Sequence, residues 1–155
     1  MPERRKSTGT FEVERITGAH DVLDRLFVYG TMRRGQTARS IVANSIARCE
    51  DASTTGAIYA FPMGYPGFVE AAPGSVVGEV LWLTDLAATF GLLDAYEGAD
   101  FARVLRRVTL SSGPNAGQPV WTWIYVLADP AAHALGSLIE DGDWVHFWTA
   151  LGEAQ

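Results

Sequence analysis

The chain has 155 residues, 48% of them hydrophobic and 19% charged, which suits one domain with a single substantial core. A net charge of −6 and a pI near 4.9 argue against nucleic acid as a partner, because that affinity rests on clustered Lys and Arg. Met1–Thr10 is polar with no apolar stretch behind it, no apolar run approaches the roughly 18 residues of a membrane span, and the single cysteine, Cys49, can form no internal disulfide, so a soluble, unexported protein of the reducing cytoplasm is expected, with no membrane partner.

Residues 1–25 mix charges, Thr and Gly with weak periodicity and read as an arm preceding a domain over 26–155, although the alternation of Phe11, Val13 and Arg15 also allows an edge strand. Leu26 to Tyr29 is a short apolar run stopped by Gly30, which predicts a buried strand followed by a loop to about Gln36. From Thr37 to Cys49 the apolar residues Ile41, Val42, Ile46 and Cys49 fall near helical spacing and predict a short amphipathic helix. Gly56 to Phe61 is β-rich, and the two prolines and two glycines of Pro62–Gly67 predict a shaped loop.

Val76 to Leu83 is the clearest strand, and Thr84 beyond it can N-cap a helix with Leu86, Phe90 and Leu93 on one face, ending at Glu97–Gly98. Arg103–Leu110 and Val120–Leu127 read as a hairpin across the Gly/Pro/Asn turn Ser111–Pro119, and a terminal helix is predicted from Trp144 to Leu151 after the turn at Glu140–Asp143. Several short strands with little regular βα alternation favour an α+β domain built on a strongly bent or barrel-like mixed sheet.

Two segments carry candidate chemistry. In Tyr29-Gly30-Thr31-Met32, a glycine at the end of a buried strand allows a sharp turn that points consecutive N–H groups into a concavity, where they hold a carboxylate or an oxyanion. By itself the tetrapeptide reads more readily as a strand end with a glycine turn. Glu97, beside Leu92, Leu93 and Tyr96, has apolar neighbours that should raise its pKa toward the range of proton transfer near neutrality. A solvated Glu at a helix C-terminus is the plain alternative, disfavoured by the negative pole of the helix. Asp94, one turn earlier, can pair with Glu97 but reads as an exposed or capping residue.

Glu79 faces either inward or outward by strand alternation. Arg103, Arg106 and Arg107 form an anion site or are separately solvated and paired. His20, His133 and His146 lack metal-ligand spacing, so no metal site is expected. Cys49 reads as a buried apolar side chain rather than a nucleophile, and no nucleotide-binding or serine-hydrolase motif is present.

Together these pieces resemble the γ-glutamylcyclotransferase-like, or AIG2-like, family. Members carry a strand ending in Tyr-Gly-[Ser/Thr]-Leu, similar to Tyr29–Met32, then a Pro/Gly loop with an aromatic, as in Gly64-Tyr65-Pro66-Gly67. A Val-x-Gly-Glu-[Val/Leu] strand matches Val76–Val80, a Leu-Asp-x-x-Glu-Gly segment matches Leu93–Gly98, and an aromatic-x-Arg matches Phe101–Arg103. Gly142-Asp143-Trp144 is similar to the tail of several bacterial members. Met32 replaces the usual Leu, a volume-conserving swap, and Phe101 stands where Tyr is common.

The resemblance implies a small mixed β-barrel flanked by short helices. It implies an enzyme, needing no cofactor or metal, that cyclises the γ-glutamyl group of a small-molecule γ-glutamyl amine or peptide to 5-oxoproline and frees the amine. Glu97 would then be the general acid/base, and Tyr29, Gly30, Thr31, Met32 and Tyr125 would bind substrate, with Trp121 and Trp123 competing with Tyr125 for that face depending on strand register. A non-catalytic ligand-binding or interaction module on the same scaffold stays open. Neither the leaving amine nor an oligomeric state is readable from the residues.

Overall fold

The computed structural model describes residues 24–153. The proposed arm up to residue 23, with the possible edge strand at Phe11, Val13 and Arg15, and His20 lie outside the described residues. Strand β1 (Arg25–Val28) is followed by turns of 3₁₀-helix at Arg39–Ile41 and Ala43–Ser45, then by β2 (Ile46–Thr55), β3 (Ala57–Phe61), β4 (Tyr65–Val69) and β5 (Ser75–Leu83). Helix α1 (Leu86–Glu97) precedes the hairpin of β6 (Phe101–Leu110) and β7 (Pro119–Leu127), and a short β8 (Ser137–Leu138) leads to α2 (Trp144–Glu153).

Five strands close a barrel in the order β1-β5-β2-β6-β7, and β4-β3-β8 form a separate three-stranded sheet. Neighbours in the barrel are antiparallel except at the closure, where β1 runs parallel to β7 with Leu26 opposite Trp123. The architecture is thus the mixed barrel with short helices that the sequence led us to expect.

Strand alternation distributes apolar residues to both faces of the rolled sheet. Phe27 and Tyr29 of the β1 run, Val80 of β5 and Ile124 and Val126 of β7 pack on one face with Ile58, Phe68 and Trp144. On the other face Leu26, Val28, Leu81 and Tyr125 are covered by Met32, Ala38 and Val42 from the segment after β1 and by Leu93 of α1. Both faces being buried explains why β1 and β5 read as continuous apolar runs.

The helix expected over Thr37–Cys49 is absent. Its first half forms 3₁₀ turns, and from Ile46 the chain is a strand paired with β5 along nearly its whole length. A long partner strand supplied from residues 75–83 outweighs a weak helical pattern, and β-branched Ile46 with the run toward Thr54 and Thr55 fits the pleated surface.

The loop expected over Pro62–Gly67 is shorter than predicted, since Tyr65, Pro66 and Gly67 already belong to β4. Proline is tolerated there because β4 is an edge strand of its sheet and can spare a donor. Thr84 does not cap α1; the cap position is Asp85, in the left-handed region at φ 52°, which Asp tolerates better than most residues. Thr84 instead donates its N–H to the Ser45 carbonyl, and its own carbonyl accepts from the Thr89 hydroxyl.

Candidate active site

The chain turns sharply after Gly30 as expected, with the Arg33 N–H on the Gly30 carbonyl at 3.0 Å, but glycine stands there for a reason other than left-handed backbone. Its φ is not positive; instead Pro66 of β4 lies so close that a Cβ at position 30 would sit 2.5 Å from Pro66 Cγ. The two segments thus form adjoining walls of a cavity of about 390 Å³, lined by Tyr29 to Met32 on one side and by Met63, Tyr65 and Pro66 on another. The remaining wall comes from the end of α1 and the start of β6, through Tyr96, Glu97, Asp100 and Phe101, with Tyr125 reaching in from β7. Tyr29, Gly30, Thr31, Met32, Glu97 and Tyr125, distant in sequence, line this one cavity. The β6–β7 register places Tyr125 opposite Arg103, and neither Trp121 nor Trp123 reaches the cavity.

The loop after β1 is held by a buried carboxylate. Glu79, 2% exposed, shares a face with Leu81 and lies beneath this loop rather than in solvent. Both its oxygens accept the Arg34 backbone N–H, at 3.2 and 3.1 Å, and Oε1 accepts from Arg39 Nη1 at 2.7 Å. Arg39 also donates to the Met32 carbonyl, and Ala38 N–H to the Thr31 carbonyl. With those carbonyls engaged and the Arg33 N–H bonded to the Gly30 carbonyl, the N–H groups of Gly30, Thr31 and Met32 find no acceptor among the described residues. Cys49 is half-buried with Sγ 3.7 Å from Glu79 Oε1, a polar setting rather than the apolar one expected.

Glu97 is half-buried, and burial lifts its pKa from the ordinary 4.5 to about 7. The direction is the expected one, but of the chain neighbours Leu92 is 61% exposed and off the cavity, so it does not shield Glu97, whereas Tyr96, though 51% exposed, is one of the cavity walls. Gly98, at φ 70°, caps the helix and donates its N–H to the Asp94 carbonyl. Burial first, and then the charge of Glu97, push the Tyr29 hydroxyl well above its usual range, and that hydroxyl donates to the Tyr125 carbonyl at 2.7 Å.

Asp94 is exposed, as expected, but among the described residues its carboxylate pairs with groups other than Glu97. Arg103 grips it through Nε at 3.0 Å and Nη2 at 3.1 Å, and the Tyr125 hydroxyl donates to it at 2.6 Å. Arg103 holds the Asp94 carboxyl below its usual range. Arg106 pairs with Glu70, and Arg107 lies over Trp121, so the three arginines serve separate partners and form no common anion site. His133 stacks on Tyr59, His146 bonds Asp141, and among the described residues no three metal-ligating side chains gather.

The sequence profile described as "Gamma-glutamyl cyclotransferase, AIG2-like" matches residues 26–146, which span every wall of this cavity. The chain belongs to that family. A Vibrio cholerae member named "Putative gamma-glutamylcyclotransferase" is 37% identical over 124 residues, covering 77% of this chain and 93% of its own. Among solved structures, YkqA of Bacillus subtilis superposes with a TM-score of 0.64 at 22% identity over 85% of this chain, which spans only 43% of YkqA. A mouse AIG2-like protein gives a TM-score of 0.54 at 21% identity, covering 68% of this chain and 77% of its own. At those identities the structural matches speak for the shared fold alone. No helix among the described residues is long and apolar enough to cross a membrane.

Proposed function

We propose that this AIG2-like γ-glutamylcyclotransferase family member cyclises the γ-glutamyl group of a γ-glutamyl amine or peptide, releasing 5-oxoproline and the free amine. The observation that carries the reading is one cavity holding both a carboxylate poised near neutrality and three backbone N–H groups without an acceptor among the described residues.

The glutamyl α-carboxylate or the developing oxyanion would take the N–H groups of Gly30, Thr31 and Met32, which Glu79 and Arg39 hold in place beforehand. Glu97 as carboxylate takes a proton from the α-ammonium, the freed amine attacks the γ-carbonyl, and a five-membered ring closes through the new N–C bond. Protonated Glu97 then delivers its proton to the leaving nitrogen as the old C–N bond breaks, and the ring nitrogen sheds its remaining extra proton to the regenerated carboxylate, which passes it to the departing amine and is restored for the next turnover. Nucleophile and electrophile belong to one molecule, so the covalent link already brings them together and the cavity has only to hold the chain curled. Met63, Tyr65 and Phe101, which line the same cavity, would be left to meet the amine.

A panel of γ-glutamyl amines and peptides, assayed for 5-oxoproline by mass spectrometry, tests the reading. Release with at least one leaving group, lost in Glu97→Gln, is expected. Binding without product across the panel would favour a ligand-binding module, and full activity in Glu97→Gln would remove Glu97 from the mechanism.

A further inference from the structure

Helix α1 is thinly attached where it matters most. Of its last seven residues, Leu93 alone is fully buried, while Gly91, Leu92, Asp94, Ala95 and Tyr96 are exposed. Yet its final residue is Glu97, whose chemistry depends on being kept from water. Buried Thr89 and half-buried Phe90, the latter against Trp123, seat the middle of the helix, but in its last turn Leu93 is the one apolar anchor.

We infer that Asp94 is a positioning residue whose grip on Arg103 and Tyr125 clamps the last turn of α1 to the barrel and keeps water from Glu97. Exposed ion pairs are worth little in general, but a two-pronged guanidinium–carboxylate fork is the exception, and here the same carboxylate takes a third bond from a different strand. The partners are rigid. Arg103 lies against the rings of Phe90 and Trp123 at 4.2 and 4.8 Å, and Tyr125 is buried and carries the carbonyl that receives the Tyr29 hydroxyl. The clamp therefore joins α1 to β6 and β7, and through Tyr29 to the loop on the far side of the cavity.

The titratable groups that share the cavity with Glu97 are Tyr29 from the β1 run, Tyr65 from β4, Tyr125 from β7, Tyr96 beside it and Asp100 beyond the helix, while Asp94 and Arg103 pair outside the cavity lining. Burial is the cause of its raised titration, so its midpoint reports how dry the turn is. Charge and hydration make opposite predictions for Arg103→Met, which keeps the stem packed and removes the fork. Loss of a nearby cation by itself raises the midpoint of Glu97, whereas loss of the clamp lowers it by admitting water. Tyr125→Phe releases one strand without changing any charge.

The test is carbon NMR titration of the free protein labelled at glutamate side-chain carboxyls, with the Glu97 signal identified by its absence in Glu97→Gln. The midpoint, about 7 in the parent, is expected to fall by roughly half a unit or more in both variants. A rise or no change in Arg103→Met overturns the clamp, and that variant decides alone if Tyr125→Phe does not fold. This titration needs no turnover, so it stands apart from the proposed reaction, on which only the kinetic arm rests. There, the acid limb of kcat/KM should move with the NMR midpoint; a limb that stays put while the midpoint falls supports the clamp and removes Glu97 as the proton shuttle.

Discussion

Two glutamates with opposite surroundings divide the work at the residue scale. Glu97 is half-buried and has no cation bonded to it among the described residues, while Glu79 is buried deeper but saturated by Arg39 and the Arg34 N–H. Glu97→Gln keeps the shape and removes the base, so 5-oxoproline release should fall by about 10²–10⁴-fold while the variant still binds a γ-glutamyl ligand, as read by single-turnover assay and calorimetry. In the parent enzyme kcat/KM should drop below about pH 7, where Glu97 is protonated and cannot accept the ammonium proton. Glu79→Ala would strand Arg39 and the loop beneath it, and a loss of about 3–5 kcal/mol in urea denaturation is expected, the cost of breaking a buried pair.

At the scale of elements, β3–β4 and the loop after β1 meet through Gly30 and Pro66. Gly30→Ala should lower stability by about 1–3 kcal/mol, because the new methyl has nowhere to go unless β4 retreats from the cavity. Combining it with Pro66→Ala, which removes the ring atoms in the way, should recover most of that loss, a non-additivity measurable in melting experiments. The same elements show where sequence patterns carry. Val76–Leu83 and the Arg103–Leu127 hairpin were legible because buried β runs and turn residues mark themselves locally. The stretch Thr37–Cys49 was not, since its partner β5 lies well downstream and spacing within the stretch cannot register it. Glu97 and Tyr29–Met32 stood out through the order of motifs along the chain. Asp94 read as merely exposed, because nothing near it in sequence announces the hydroxyl of Tyr125.

The whole molecule carries the cost of keeping a carboxylate dry. The pKa of Glu97 is raised in the folded state, so between about 4.5 and 7 the native protein binds more protons than the unfolded chain, and this group's contribution to stability falls as pH rises through that window. At about 1.4 kcal/mol per unit the ceiling is near 3 kcal/mol, and the effect is smaller because the carboxylate borders a cavity that water reaches. Glu97→Gln should accordingly melt higher than the parent at pH 8 and about equally at pH 5, the gap being measurable by calorimetry.

The parallel seam between β1 and β7 sets a timetable as well as a shape. Leu26 meets Trp123 there, so the seam forms only after almost all of the described chain is available. Tyr29 to Met32 are made early by the ribosome, and they must wait for Tyr125 to leave the exit tunnel before the cavity has all its walls. Such distant pairings are reached late because the chain entropy they cost is spent before they reward it. In pulsed hydrogen exchange during refolding, amides of β6 and β7, a local hairpin, should gain protection before those of β1. The cavity beside Glu97 would be among the last parts of the molecule to come into being.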